Sequence, residues 1–544
     1  MKSILTGKTL LIVEDYPAMR KAIRDMLHTV GADVIVEAEN GANALNTLSK
    51  QAFDIILCDY NLGAGKNGQQ VLEEARHRNL IDHSAIFILI TAEQTQAMVL
   101  GAMDSKPDEY LTKPFNAQQL YARIERNLQR KAYLGTVERD MALGRYPTAI
   151  VQCDRLLAEG HARMRMPLLR LRAELALLTD DNDTAASVYR EVVMERDLAW
   201  ARLGLGIVEF NQGQTAQAAA SFADVIRDNP LCMEAYDWLA KACLQLGQPD
   251  EAESVLQQAV ELSPQSIRRQ KTLAATADSN GNVELALRTY KAVVALGKHS
   301  IHKSSSDFAN LAKLYCKTQA IGDALSLLSQ MRQTYPNDAE AELRALTLET
   351  AVYNAMGDAD ATRDALEKSL ALSERLGNRV PKDLQLELIH ACFVNDEAGH
   401  ADTLMESLIK SHVDDDEFMA AVRTMHAGLG MEHRSEALIQ ATKKAMVSAN
   451  NKAATLYKQG QYTEAMALLE RAMVAMPGNK TLIMNALNII IHDLKTTSIS
   501  NDKILKAQKL LKSAKQLGVE RHKLAVLEHE FVQWSHQRNK APIS

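Results

Sequence analysis

Along the first 130 positions, short apolar runs alternate with stretches in which apolar residues return every three or four places. Thr9-Leu-Leu-Ile-Val13 is followed by Met19, Ile23, Met26 and Leu27, and Val34-Ile-Val36 by Ala42, Leu45 and Leu48. Ile55-Ile-Leu57 is followed by Val71 and Leu72, and Ile86-Phe-Ile-Leu-Ile90 by Met98 and Val99. A fifth run, Glu109-Tyr-Leu-Thr112, precedes Lys113-Pro114 and a helical pattern that begins at Asn116. An unbroken apolar run marks a strand buried on both faces, and a spacing of three to four marks an amphipathic helix. Five such units in series predict an α/β fold over residues 1–130, a doubly wound five-stranded parallel sheet.

From residue 131 to 544 the strand pattern is gone and a helical pattern repeats. Between Met233 and Ser266 it carries Tyr236, Leu239, Ala240, Gly247, Ala252, Leu256, Ala259 and Pro264. The next stretch keeps the frame with Leu273, Ala274, Gly281, Ala286, Tyr290 and Val293, and a third with Phe308, Leu311, Ala312, Tyr315, Ala324, Leu328 and Pro336. Weaker copies stand at Gly144/Ala149, Gly213/Ala218/Phe222, Gly357/Leu366 and Gly460/Ala465/Leu469. Alanines allow two antiparallel helices to approach, a glycine accepts the left-handed turn between them, and a proline ends the second helix. The frame resembles the tetratricopeptide repeat, about 34 residues long, which implies an all-α solenoid of roughly eight to ten helical pairs. The frame is lost between Asp383 and Asn451, and Thr481 to Gln537 closes the array, with Leu524, Leu527, Phe531 and Trp534 on one side of the last helix. Asn116 caps a helix whose apolar positions Leu120, Ile124 and Leu128 run on to Tyr133, so a nearly continuous helix joins the sheet to the repeats.

In an open α/β sheet, ligands gather at the carboxyl ends of the strands. The residues there are Glu14 and Asp15, Asp59, Thr91 and Lys113. Three carboxylates at one edge repel each other unless a cation neutralises them, and an all-oxygen set suits Mg²⁺. The hydroxyl and the ammonium beside them suit an anion with several oxygens, so the set points to a phosphoryl group carried by one carboxylate, with the central Asp59 as acceptor. The glycine-rich stretch after it, Asn61-Leu-Gly-Ala-Gly-Lys-Asn-Gly68, is not a nucleotide loop: Gln69 and Gln70 stand where a P-loop needs Lys and Ser or Thr.

Residues Lys8 to Arg130 thereby resemble a bacterial response-regulator receiver domain, on the acid pair Glu14-Asp15, the strand end Asp59, Thr91-Ala92 and Tyr110-Leu-Thr-Lys113-Pro114-Phe. The resemblance implies a fold of the flavodoxin or CheY kind and a phosphoryl group accepted by Asp59 from a phosphohistidine. It also implies Mg²⁺ held by Asp15 directly, by Glu14 through water, by Asp59 and by the backbone carbonyl of Asn61. Thr91 and Lys113 would contact the phosphoryl oxygens, Lys113-Pro114 would be cis, and Tyr110 would turn inward with Thr91 as a switch. Two departures stand out: receivers usually have proline where Gly63 stands, and a glycine one place before Gly68. The loop after Asp59 is expected to be a longer, flexible lip.

A net charge of −6 gives no general attraction to nucleic acid or to an anionic membrane surface, so neither is an expected partner. Six cysteines without a C-x-x-C pair read as reduced thiols, and no window approaches a membrane span, which together suggest a soluble cytoplasmic protein. Lys503, Lys506, Lys509, Lys512 and Lys515 drift around a helix and read first as a solvated face, second as an anionic-partner site. The repeats hold no nucleophile signature, so no enzyme activity is expected beyond the receiver's own phosphoryl transfer and dephosphorylation. The expected partners are a histidine kinase or phosphotransfer protein and an unidentified protein target of the repeats, with a homodimer left open. A phosphorylation-gated adaptor without DNA-binding output is the first reading. A constitutive scaffold or phosphoryl sink that docks or restrains a kinase is the alternative.

Overall fold

The computed structural model describes residues 3–92, 105–496, 500–519 and 521–540. The helix expected around Met98 and Val99 lies outside them. The chain divides into two compact units, Met1–Gln319 and Ala320–Ser544.

The first unit opens with the expected strands: β1 Thr9–Val13, β2 Val34–Ala38, β3 Ile55–Asp59, β4 Ile86–Thr91 and β5 Glu109–Thr112. All pair in parallel, in the order β2-β1-β3-β4-β5. Helices α1 Pro17–Thr29, α2 Gly41–Leu48 and α3 Gly68–His77 cross between them. Alternate strand residues feed two separate cores. Leu11, Val13, Ile56, Cys58, Phe87 and Leu89 pack with Ala44, Leu45, Val71 and Leu72 of α2 and α3. Leu10, Ile12, Ile55, Leu57, Ile86 and Ile88 pack with Ile23 and Leu27 of α1 and with Leu120 and Ile124. Both faces of the central strands β1, β3 and β4 are dry, which is why they read as unbroken apolar runs. Each fully buried Leu or Ile contributes about 1.5–3 kcal/mol.

The helix beginning after Asn116 runs without interruption from Ala117 to Ala142. Its start is fixed by a reciprocal cap: the Gln119 amide donates to the Asn116 side chain and the Asn116 amide to the Gln119 side chain. It is held to the sheet edge by Arg123 and Arg126 on Glu109, and by Lys131, which reaches Asp108 at 3.0 Å and the carbonyl of His83 at 2.9 Å. On either side of Gly135 the same helix buries Leu134 and Val137, and it packs against Tyr146–Ala158. The continuous junction expected from the sequence is therefore present, and it extends a further two turns.

Four more hairpins follow in this unit: Arg165–Leu178 with Asn182–Glu195, Ala199–Asn211 with Thr215–Asp228, Met233–Gln245 with Pro249–Leu262, and Ile267–Ser279 with Val283–Gly297. Ser305–Lys317 comes last. Helix contact is as close as the small residues permit. Ala240 and Ala252 are buried, and a Cβ on Gly204 would lie 2.2 Å from the Tyr189 ring. The turn between paired helices is left-handed at Gly247, with φ +72°, and at Asp180, with φ +57°. The pair built around Asp180 has no counterpart among the repeat copies read from the sequence, because the glycine that marks the frame is replaced.

The second unit keeps the hairpin plan with longer members. Ala339–Met356 and Ala359–Leu376 have 18 residues each, and Glu432–Lys458 has 27. Lys382–Val394 pairs with Ala398–His412, Glu432–Lys458 with Tyr462–Ala475, and Lys480–Thr496 with Asn501–Gln516. Within Asp383 to Asn451, where the repeat frame is lost, one hairpin is present, and Asp416–Gly428 then stands before the 27-residue helix. Leu524 and Phe531 of Arg521–Lys540 join the apolar core of this unit, with Leu527 and Trp534 packed against it. Three of the lysines on Asn501–Gln516 are paired with acids: Lys503 with Asp493, Lys506 with Glu470 and Lys515 with Glu528. That pairing favours the solvated-face reading. No described helix is long and apolar enough to cross a membrane.

Two glycines separate packing from propensity. Gly204→Ala should lower stability by about 1–3 kcal/mol, since the new methyl meets a buried ring. Gly135→Ala, mid-helix with nothing within 4 Å of its Cβ, should raise it by about 0.5–1 kcal/mol. Urea unfolding followed by circular dichroism reads both signs.

Candidate functional site

β1 delivers Glu14 and Asp15 just past its carboxyl end, where the Glu14 amide donates to the carbonyl of Ala38 at 3.1 Å. Asp59 is the last residue of β3, flanked by β1 and β4, so it is central to the edge. Thr91 ends β4 and is buried. Lys113 follows β5, its amide donating to the carbonyl of Thr91 at 2.8 Å, and the Lys113-Pro114 bond is cis.

These positions converge. Carboxylate oxygens of Glu14, Asp15 and Asp59 lie within 4.8 Å of one another. The Lys113 ammonium bridges two of them, 2.8 Å from Glu14 Oε2 and 2.9 Å from Asp59 Oδ1. Glu14 is buried and Asp15 exposed. Burial first, and then the charges of Glu14 and Asp15, push the Asp59 carboxyl up to about 6 against the opposing pull of Lys113. Burial disfavours the Lys113 ammonium, but its hydrogen bonds and charge contacts to Glu14 and Asp59 outweigh that and raise its pKa.

The donor set fits Mg²⁺: three hard carboxylates converge, and Asp59 resists ionising beside its neighbours, so a small dication would relieve the crowding. Asn61 is exposed, with its side-chain oxygen accepting from the Gly63 amide at 3.3 Å. Tyr110 is half-buried and packs against the core beneath α2 and α3.

Sequence reasoning missed Arg20. This buried guanidinium donates to the Glu14 carbonyl at 2.6 Å and pairs with Glu37 at 3.2 Å, which fixes the backbone of the acid pair. An arginine one turn into α1, facing an acid on β2, was the available signal. The loop after Asp59 also differs from a free lip. A Cβ on Gly68 would sit 2.2 Å from the Asp59 carbonyl, and Lys66 is paired with Glu74 at 2.9 Å.

A profile of the response regulator receiver domain matches residues 10–125, and two tetratricopeptide repeat profiles match 203–267 and 446–475. The chain is 31% identical over 121 residues to the chemotaxis protein CheY of Pseudomonas aeruginosa, covering 22% of this chain and 96% of that protein. It is 30% identical over 131 residues to chemotaxis protein CheY-3 of Vibrio cholerae, which covers 24% and 99%. The chemotaxis protein CheY of Bacillus subtilis is 32% identical over 119 residues, 22% of this chain and 96% of the relative.

The chain belongs to the response regulator receiver family.

Its receiver is fused to tetratricopeptide repeats, so it combines a response-regulator module with a protein-interaction region. The acidic edge just described is the receiver's acid pocket, and the second repeat match, 446–475, spans the hairpin turn at Gly460.

The raised Asp59 pKa has a defined pH signature. Because folding raises this acid's pKa from its ordinary 3.8 to about 6, the folded receiver holds the proton more tightly, and stability falls as pH rises through that window. In chelator, Asp59→Asn should therefore stabilise the protein by about 1–3 kcal/mol above pH 6 and by nothing below pH 4. Denaturant unfolding across that range checks it; a gain that is the same at both ends would refute the assignment.

Proposed function

We propose that the chain is a two-component response regulator: a receiver over 1–130 takes a phosphoryl group on Asp59, and repeats over 131–544 bind a protein target according to that state. The observation that carries this reading is the Lys113 ammonium shared between Glu14 and Asp59 inside a cluster of three carboxylates. An attacking carboxylate needs its neighbours' charge screened and a fixed cation for the oxygens it receives, and this arrangement offers both.

The donor is a phosphohistidine on a histidine kinase or phosphotransfer protein. An Asp59 carboxylate oxygen forms a bond to phosphorus as the phosphorus–nitrogen bond breaks, and the leaving imidazole retains the electron pair and takes a proton. Lys113 exchanges its hold on Asp59 for a phosphoryl oxygen while keeping Glu14. Thr91, at the neighbouring strand end, donates its hydroxyl to another phosphoryl oxygen, and Tyr110 packs behind it as the switch. Glu14, Asp15, Asp59 and the Asn61 carbonyl would hold Mg²⁺, which supplies charge neutralisation on the transferring oxygens when bound. Water then cleaves the acyl phosphate and resets the domain. The output is protein binding in the cytoplasm, supported by the net charge of −6 and by repeat matches as far as residue 475.

Three states of the full chain test the switch: unmodified, with beryllofluoride and Mg²⁺, and Asp59→Asn. Affinity for a protein captured by the repeats should differ between the first two and match between the first and third; equal affinity in all three leaves a constitutive scaffold. With a small phosphodonor such as acetyl phosphate, wild type should gain a base-labile phosphoryl group that Asp59→Asn lacks. Lys113→Ala should keep Mg²⁺ binding while slowing phosphoryl uptake about 100-fold or more. Equal loss of metal binding would overturn the division of roles.

A further inference from the structure

The loop between Asp59 and α3 is tied at both ends to the acceptor and in its middle to the repeats. It starts at Asp59 itself. It ends at Gly68, whose amide donates to the Tyr60 carbonyl at 2.8 Å and whose missing Cβ would lie 2.2 Å from the Asp59 carbonyl oxygen. Between them, Gly63 and Gly65 have φ of +71° and +110°, so the middle of the loop can be re-aimed at little cost. Lys66, two residues before Gly68, points away from the acceptor and donates to the carbonyl of His299 at 2.6 Å. His299 lies just past the end of the repeat helix Val283–Gly297, where carbonyls lack a partner within the helix. The turn it belongs to is held from the other side by Lys271, which donates to the His302 carbonyl at 2.7 Å and pairs with Asp307. Beside the Lys66 contact, Gln69 and Glu73 of α3 face Ser300 and Ile301 across a cavity of about 430 Å³. Among the described residues, the loop after Asp59 therefore meets the repeats through one charge-assisted hydrogen bond flanked by open space.

We propose that Lys66 is a latch between the acceptor and the repeats: with Asp59 unmodified it holds the turn 298–303, and a phosphoryl group on Asp59 releases it. The proposal rests on the reading of Asp59 as phosphoacceptor. A phosphoryl group turns the singly charged carboxylate into an acyl phosphate of about two negative charges, with three new acceptor oxygens where the loop begins. Gly68 has no clearance over the Asp59 backbone, so the loop rearranges through Gly63 and Gly65, and Lys66 moves with it. A hydrogen bond from an ammonium to one carbonyl sets an equilibrium of about tenfold, small enough for such a change to reverse. Glu74, paired with Lys66 at 2.9 Å, keeps the ammonium compensated when it leaves His299.

Hydrogen exchange on the full chain tests this, with fluorine NMR reporting bound beryllofluoride. In wild type, Mg²⁺ and beryllofluoride should speed exchange of amides 298–303 by about tenfold. Lys66→Ala should show that faster exchange without the mimic and no further change with it, and Lys66→Arg, which retains a donor, should stay close to wild type. If Lys66→Ala exchanges as wild type does, the contact holds nothing and the latch is refuted. If the mimic binds and 298–303 does not respond, the latch is refuted while Asp59 stands as acceptor. If no bound fluoride resonance forms, both readings fall together.

Discussion

Three carboxylates converge at one sheet edge, and a single ammonium stands between two of them; the arrangement of the rest of the receiver follows from keeping that cluster together. The isolated acids would separate or take up protons. Here they cannot separate, because parallel pairing fixes β1, β3 and β4 in register and places Glu14, Asp15 and Asp59 at adjacent strand ends. Part of the repulsion appears as the raised pKa of Asp59 and part is offset by Lys113. Two dry cores, one on each face, supply the rigidity that holds this electrostatic conflict in place. Arg20 acts at the same point, gripping the Glu14 carbonyl from below.

The repeats solve a different problem. Each hairpin leaves an apolar face that only the next can cover, so close approach matters more than any polar contact. Tyr189 over Gly204 and Phe222 over Gly206 show large rings seated where neighbouring helices carry no side chain. The first contact fixes the spacing between successive pairs, and the second the spacing within one.

Strand positions, the edge residues and the capped junction helix were legible in the sequence because each rests on a local rule: unbroken apolar runs, a residue at a strand end, Asn116 with Gln119. β1 and β5 run over the residues read for them, Thr9–Val13 and Glu109–Thr112. What was not legible depends on partners distant in the chain. Arg20 looks like any helix-face arginine until Glu37 and the Glu14 carbonyl are placed beside it. Asp180 hides a repeat because aspartate can adopt the left-handed conformation that glycine usually marks. The loop after Asp59 reads as a flexible lip from its glycines, yet its conformation is set by Gly68 against the Asp59 backbone and by Lys66 against residues more than two hundred positions away.

Two physical routes thus run from Asp59 to the repeats, and they differ in kind. The helix Ala117–Ala142 is continuous and clasped to the sheet edge by Arg123, Arg126 and Lys131. A rigid rod transmits rotation or translation, but only if the whole sheet edge moves, which the packed core resists. The loop is the opposite: hinged at two glycines, bearing directly on Asp59, and attached to the repeats by one hydrogen bond. Reversing a single such bond takes about 1–2 kcal/mol, far less than repacking a sheet. The helix is a fixed support between the sheet and the repeats, whereas the Gly-rich loop is the element whose contact with the repeats can respond to a change at Asp59.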